Sequence, residues 1–274
     1  MVFQRSKCDE FYTLYEIIEK IYKSGYMKPE VFKDKIIYCN CDDYRWSNYV
    51  KFWKNNFEYF GIKKLIATNY DNGDGAYIYT YDGKNETIEQ GIEDGSFEHY
   101  SDFIKDDTIV VTNPPFSRSR DYFNFLNNND AKFYVHSSLV NVIKCLNDLN
   151  DIYCLYKGDY CWYELDGIKK FVAASGVVTN VGSDKTSSKV KLTKTFDEVK
   201  HDFYYEEDFY KVDKWKGKIL NVDWSNKIPY DYDEFIGVPI SFLYVQPELR
   251  RKYHIYGTAR YGRKFFRLRI KKIK

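Results

Sequence analysis

The 274-residue chain has no apolar run approaching the roughly 20 residues that a membrane-spanning helix needs. Its opening stretch, MVFQRSKCDEFYT, lacks the apolar core of a secretory signal. Both absences point to the cytoplasm. The six cysteines (Cys8, Cys39, Cys41, Cys145, Cys154 and Cys161) form no C-x-x-C pair, the four histidines are scattered, and H-E-x-x-H is missing. No structural or catalytic metal is expected, and the thiols read as buried. The net charge of +2 excludes a polycation. No internal repeat is visible.

Aromatic side chains are what the chain has in plenty. They make up 19% of it, within a hydrophobic total of 44%, so a sizeable core is available and disorder is excluded. The length suits one large domain or two small ones. Charge is unevenly spread. The tail from Arg250 to Lys274 carries 11 basic residues and no acid. Such a surface suits phosphate binding, or else a solvated edge strand guarded by lysines.

Phe11, Leu14, Tyr15, Ile18 and Ile21 recur at helical spacing and predict a helix from Asp9 to Lys23. Lys35 to Cys39 reads as a short apolar strand that ends in Asn40-Cys41-Asp42-Asp43. Ser47-Asn48 then caps a helix through Tyr59, closed by Gly61. Lys64 to Thr68 is a second strand, ending at Asn69-Tyr70-Asp71. Strand, helix and strand at this spacing form a βαβ unit and imply a parallel sheet. Ala76 to Tyr81 alternates as a strand before the turn Asp82-Gly83, and Glu93 to Phe97 reads as a loop. Thr108 to Val111 and Lys132 to His136 are further strands, with a helix between them over Asp121 to Asn128. Beyond about residue 150 the pattern turns β-rich: Trp162 to Leu165, the turn Asp166-Gly167, Lys169 to Ala173 and Gly176 to Thr179. Ser183 to Asp208 is a charged excursion.

The strand from Thr108 to Val111 runs into Asn113-Pro114-Pro115-Phe116. In an open parallel sheet, ligands bind at the carboxyl ends of the strands. Asn113 offers a side-chain carbonyl there. The two prolines lack N–H groups and restrict the residues before them, so the turn is stiff and its carbonyls can face a cleft. Phe116 adds a flat face. Acceptors beside an aromatic plate suit a planar substrate bearing an NH₂ group. Two hydrogen bonds from that amine to Asn113 and the Pro114 carbonyl would make its nitrogen nucleophilic toward an electrophilic methyl. A rigid Pro-Pro turn with no chemistry is the plainer reading of the same residues.

Several stretches beyond NPPF resemble the N6-adenine DNA methyltransferases, and most of all the EcoRI-type modification methyltransferases. They are Asp9-Glu10-Phe11-Tyr12-Thr13, Cys39-Asn40-Cys41-Asp42-Asp43 with Arg45-Trp46-Ser47-Asn48, Asp94-Gly95-Ser96-Phe97, Ile228 to Leu243, and Phe266 to Ile270. Together they span nearly the whole chain. The resemblance implies an α/β fold, with a Rossmann-like S-adenosylmethionine-dependent methyltransferase sheet and an inserted or C-terminal DNA-recognition region. It implies that Asn40, Cys41 and Asp42 hold the methionine part of the donor, with Tyr12 and Thr13 nearby from the N-terminal helix. It places the donor ribose at Asn69, Tyr70 or Asp71, and the donor adenine at Asp94 and Phe97. The glycine fingerprint usual after the first methyltransferase strand is absent here. Without the resemblance, Asp42 and Asp43 read as helix caps, Asp94-Gly95 as a turn and Phe97 as core.

The chain then divides into a methyltransferase core over 1–180, a target-recognition insertion over 181–235, and a return to the core with a basic strand over 236–274. Lys185, Lys189, Lys191 and Lys194 could hold phosphates of double-stranded DNA, and so could Arg267 and Arg269 in the tail. A duplex adenine would have to be flipped into the NPPF pocket. Two other readings stay open: a methyltransferase for RNA or protein glutamine, and a donor-free nucleic-acid-binding protein on the same scaffold.

Overall fold

The computed structural model describes residues 12–23, 27–145, 150–155, 158–165, 167–172, 175–181, 189–200, 203–205, 218–261 and 265–274. The chain forms two compact units, Met1–Leu146 with Leu155–Val181, and Asn147–Cys154 with Gly182–Lys274. Among the described residues, no helix is long and apolar enough to cross a membrane.

The strands are β1 Tyr12–Thr13, β2 Ile36–Cys39, β3 Lys64–Thr68, β4 Tyr77–Tyr81, β5 Glu86–Gln90, β6 Thr108–Thr112, β7 Lys132–Ser138, β8 Tyr153–Leu155, β9 Trp162–Leu165, β10 Ile168–Phe171 and β11 Ser175–Thr179. The helices are α1 Tyr15–Lys23, α2 Asn48–Asn55, α3 Phe57–Phe60, α4 Ser119–Asn128 and α5 Leu139–Cys145. The main sheet runs β5-β4-β3-β2-β6-β7-β11-β8. Its centre, β3-β2-β6-β7, is parallel. Strands β4, β5 and β11 add on antiparallel. The result is an α/β, Rossmann-like sheet.

The sequence explains this centre. β2, β3 and β6 are short apolar runs without alternation, as strands covered on both faces must be, and Ile37, Leu65, Ile109 and Val111 are buried. The apolar stripe of α1 (Ile17, Ile18, Ile21, Tyr22) packs in one core with Tyr49, Val50, Phe52 and Trp53 of α2. Ring centroids lie 4.9 Å apart for Phe32 and Trp53, and 5.0 Å for Tyr22 and Trp53 and for Trp53 and Phe60. Tilted and edge-on rings at that spacing add about 0.5–1.5 kcal/mol per pair beyond burial. Ser47 caps α2 by accepting from the N–H groups of Tyr49 and Val50. Asn56 separates α2 from α3, and Gly61 ends α3 in the left-handed region at φ 58°.

The chain start differs from expectation. α1 begins at Tyr15, whereas Tyr12 and Thr13 form a strand, opposite Glu164 and Tyr163 of β9. This makes the small sheet β1-β9-β10. A two-residue pairing across about 150 residues leaves no periodic trace. The Asp9–Phe11 portion of the expected helix lies outside the described residues.

In the second unit, β12 Phe203–Tyr205, β13 Lys218–Asn221, β14 Ile236–Pro239, β15 Tyr253–Tyr261 and β16 Phe265–Lys272 form a sheet in the order β12-β13-β14-β16-β15. Leu220, Ile236, Val238, Leu268 and Ile270 are its buried side. Residues 236–274, expected to return to the core sheet, instead pair here with β13, because the basic residues of β16 alternate with Leu268 and Ile270 and leave one apolar face to bury.

Candidate active site

β6 stops at Thr112, and Asn113-Pro114-Pro115 turns the chain into a single helical turn, Phe116–Arg118, that runs straight into α4. Pro114 is buried, while Asn113, Pro115 and Phe116 are half-buried. The turn is closed on its far side. The Phe116 carbonyl accepts from Ser119 Oγ at 2.7 Å and from Asn141 Nδ2 at 3.3 Å. The Phe116 ring meets Tyr163 edge-on, at 5.9 Å and 85°. Tyr163 in turn lies 5.7 Å from the ring of His136.

His136 is wholly buried on β7, and its Nδ1 is hydrogen-bonded to the Tyr49 hydroxyl. Burial drives its pKa down to about 3, so the ring is neutral at physiological pH. Sequence reasoning overlooked Tyr163 and His136. The available signals were a histidine inside an apolar strand and the alternation of Tyr163 with exposed Trp162.

Next to this corner, β2 delivers Asn40, Cys41 and Asp42. Asn40 is buried, and its Oδ1 accepts from the Tyr122 hydroxyl at 2.5 Å. Its Nδ2 has no partner among the described residues, and neither has the buried hydroxyl of Thr13. Cys41 is half-buried and Tyr12 exposed. Asp42 is tied on both oxygens: Ser47 Oγ donates to Oδ1 and Thr112 Oγ1 to Oδ2, each at 2.6 Å. Asp43 pairs with Arg45 at 2.5 Å.

Burial lifts the Asp42 carboxyl to about 6, against the two hydroxyl hydrogen bonds. A folded pKa above the unfolded value of about 3.9 stabilises the protein below pH 4, and that contribution is lost as pH rises through about 6. Asp42→Asn is neutral throughout. It should therefore gain on the wild type between about pH 4.5 and 7.5 by about 2 kcal/mol. Urea unfolding at the two pH values measures this; a gap that ignores pH contradicts it.

The ends of β3 and of the 91–97 segment meet. Asn69 is buried and holds its own loop: Nδ2 donates to the carbonyls of Tyr70 (3.1 Å) and Gly75 (3.0 Å), and Oδ1 accepts from Tyr77 N–H at 3.1 Å. Asp71 accepts from Gly73 and Gly75 N–H at 2.7 and 2.9 Å, which holds its carboxyl below the usual range. Tyr70 is exposed. The Asp71 N–H donates to the Asp94 carbonyl at 2.8 Å. Gly95 permits this approach: it sits at φ +72°, and a Cβ there would lie 2.1 Å from the Asn69 carbonyl oxygen.

The exposed Asp94 accepts from Ser96 N–H at 2.9 Å and lies 3.3 Å from His99 Nε2. Phe97 is buried against Tyr122, at 5.0 Å, and Phe125, at 5.3 Å, with the Arg118 guanidinium 4.7 Å from its centroid. Arg118 also donates to Ser96 Oγ at 3.1 Å and pairs with Glu98.

In the second unit, Lys189 and Lys191 are exposed on either side of Val190, whose backbone is clamped by Gln246. Val190 N–H donates to Gln246 Oε1 at 2.7 Å, and Gln246 Nε2 to the Val190 carbonyl at 2.5 Å. Lys194 is exposed and paired with Glu198 at 2.8 Å. Arg267 is buried rather than presented to solvent. Its Nε donates to Asn221 Oδ1 at 2.6 Å and its Nη2 to Asp223 at 3.1 Å, because β14 and β13 wall in that position. Arg269 is half-buried and donates to the Tyr256 carbonyl at 3.3 Å. Lys185 lies outside the described residues.

A family model described as Adenine-specific methyltransferase EcoRI matches residues 3–175. The chain is 30% identical to Type II methyltransferase M.EcoRI of Escherichia coli, across 88% of this chain and 83% of that protein. It is 27% identical to Type II methyltransferase M.MpnI of Mycoplasma pneumoniae, across 88% and 80%. No solved structure matches. Because the matched span takes in the NPPF corner, the 40–48 loop and the 94–97 loop, the chain belongs to the EcoRI family of adenine-specific methyltransferases.

Proposed function

We propose that this chain methylates the N6 amino group of adenine within a short sequence of double-stranded DNA, with S-adenosylmethionine as methyl donor. The observation that carries the reading is the Asn113–Phe116 corner at the carboxyl end of β6, with Asn113, Pro115 and Phe116 half-buried, beside two buried donors that have no partner among the described residues. Asn40 Nδ2 and the Thr13 hydroxyl fit the polar methionine end of the donor, since a buried N–H or O–H without a partner is costly unless a ligand meets it. Cys41 and Tyr12 flank them. Tyr70 is the presented side chain at the ribose end, with Asn69 and Asp71 shaping its loop. Asp94 accepts from the donor adenine, and Phe97 backs that loop. The donor, when bound, supplies an electrophilic methyl group.

The chain's own residues do the rest. Asn113 Oδ1 and the Pro114 carbonyl each accept one hydrogen of the target amine. This withdraws the nitrogen lone pair from the purine ring and aims it. Phe116, held upright by Tyr163, stacks on the base. Flipping the adenine out costs roughly a few kcal/mol. Stacking on an aromatic ring returns about 1–3 kcal/mol. Such catalysis is orientation and electrostatics, without a covalent intermediate. Lys189, Lys191 and Lys194, together with Lys185 and Arg269, supply cations for the phosphates.

The test is transfer of tritiated methyl from S-adenosylmethionine to DNA, RNA and protein lysate in parallel. Label should appear in DNA as N6-methyladenine. Label in RNA or protein alone overturns the substrate. No heat on titrating the donor overturns the enzyme reading in favour of a donor-free binder.

A further inference from the structure

Asp42 joins parts of the site that arrive on three strands. It follows β2, and its N–H donates to the Thr68 carbonyl at the end of β3 at 3.0 Å. Its Oδ2 accepts from Thr112, the fully buried last residue of β6, which immediately precedes Asn113. Its Oδ1 accepts from Ser47, which caps α2. Each hydroxyl has a single proton, and each directs it at this carboxylate. A carboxylate held by two hydroxyls beside a capped helix N-terminus is rigid.

We propose that Asp42 is a positioning residue: through Thr112 it fixes where Asn113 stands relative to the donor-binding loop 40–47, so that corner and donor site share one buried anchor. This rests on the methyltransferase reading above. It departs from the family resemblance, which makes Asp42 a direct ligand of the donor. The two roles differ in what Thr112 does. A direct ligand would work without the Thr112 hydroxyl, whereas an anchor would not.

The experiment uses the full chain, tritiated S-adenosylmethionine and sheared, unmethylated bacterial genomic DNA, with donor Kd measured by calorimetry. Asp42→Asn and Thr112→Val should each lower kcat about ten- to a hundredfold, the penalty for a slightly misplaced reacting group. Thr112→Val should keep the donor Kd within about threefold of wild type. The double variant should fall no further than the worse single variant, because both break one link. Thr112→Ser, which keeps the hydroxyl, should recover most of the turnover lost in Thr112→Val.

The pH profile gives a readout that a merely structural role would not move. Wild-type kcat should decline toward acid through about pH 6, and this limb should vanish in Asp42→Asn. The titratable groups around Asp42 are Asp43 and Cys41 on its own loop, Cys39 on β2, Tyr22 on α1, Tyr49 on α2 and Tyr122 on α4. Burial pushes Cys39, Tyr22, Tyr49 and Tyr122 up, so they stay neutral there, and Asp43 is paired with Arg45. Wild-type turnover in Thr112→Val overturns the inference. So does an Asp42→Asn enzyme with intact kcat and a donor Kd raised more than about tenfold. Should Thr112→Val fail to fold, Asp42→Asn decides by its split: a fall in kcat with donor Kd unchanged supports the anchor, and intact kcat with a raised donor Kd overturns it. A wild-type chain that transfers no methyl to DNA overturns the proposed function itself, and this inference with it.

Discussion

Asn113→Ala is expected to reduce methyl transfer by at least about a hundredfold, the scale on which losing one polarising hydrogen bond acts. Donor affinity should stay near wild type. On the proposed mechanism, the variant removes the side-chain carbonyl that accepts one amine hydrogen and leaves the Pro114 carbonyl with the other. One hydrogen bond alone lets the amine rotate back into conjugation with its ring. The backbone at 113 should persist, because the two prolines stiffen it and the Ser119 and Asn141 contacts to the Phe116 carbonyl hold the turn. Single-turnover transfer of tritiated methyl, set beside donor calorimetry, separates the two effects. Unchanged turnover refutes the role of Asn113. A donor Kd weakened in step with turnover means that Asn113 touches the donor instead.

Gly95→Ala should be a severely damaging small substitution in the loops beyond β3. The new Cβ would stand 2.1 Å from the Asn69 carbonyl oxygen and 2.7 Å from Ala76 Cβ. Neither neighbour can retreat easily. Asn69 is pinned by three hydrogen bonds to its loop, and Ala76 is buried. Left-handed φ for a non-glycine residue and the overpacking together should cost about 2–5 kcal/mol. In a protein of this size each kcal/mol lowers Tm by about 2–4 °C. The 93–97 loop should part from the 69–75 loop, and donor Kd should rise with it. Gly167→Ala is the control. Gly167 also has positive φ, but nothing lies within 4 Å of its added Cβ. Equal loss in the two variants would mean that backbone conformation alone, and no loop contact, is at stake.

The parallel centre of the sheet was legible because each strand is an apolar run that stops at polar residues, and because Ser47 and Gly61 mark helix ends by their own chemistry. The turn after β6 was legible because two adjacent prolines end its apolar run. What stayed hidden depends on partners far along the chain. β1 forms only because β9 offers it an edge. Asn69 and Asp71, expected at the ribose end, hold loop backbone six or eight residues on, or nearer, which the sequence does not announce. Arg267 belongs to a basic tail by composition and to a buried network by register. Asp42 read as a cap or a ligand, since nothing in the sequence announces that Thr112 would reach it.

One flank of the first unit has a further consequence. β5, exposed along its whole length, and the Asp94 loop after it lie in a stretch, 82–98, that holds six acids and one lysine. On the proposed reading, donor and target both contain adenine, and the polymer's adenines must stay out of the slot meant for the small molecule. Same-sign repulsion at this fringe would do so without shape, by turning away a phosphodiester chain while admitting a sulfonium cation.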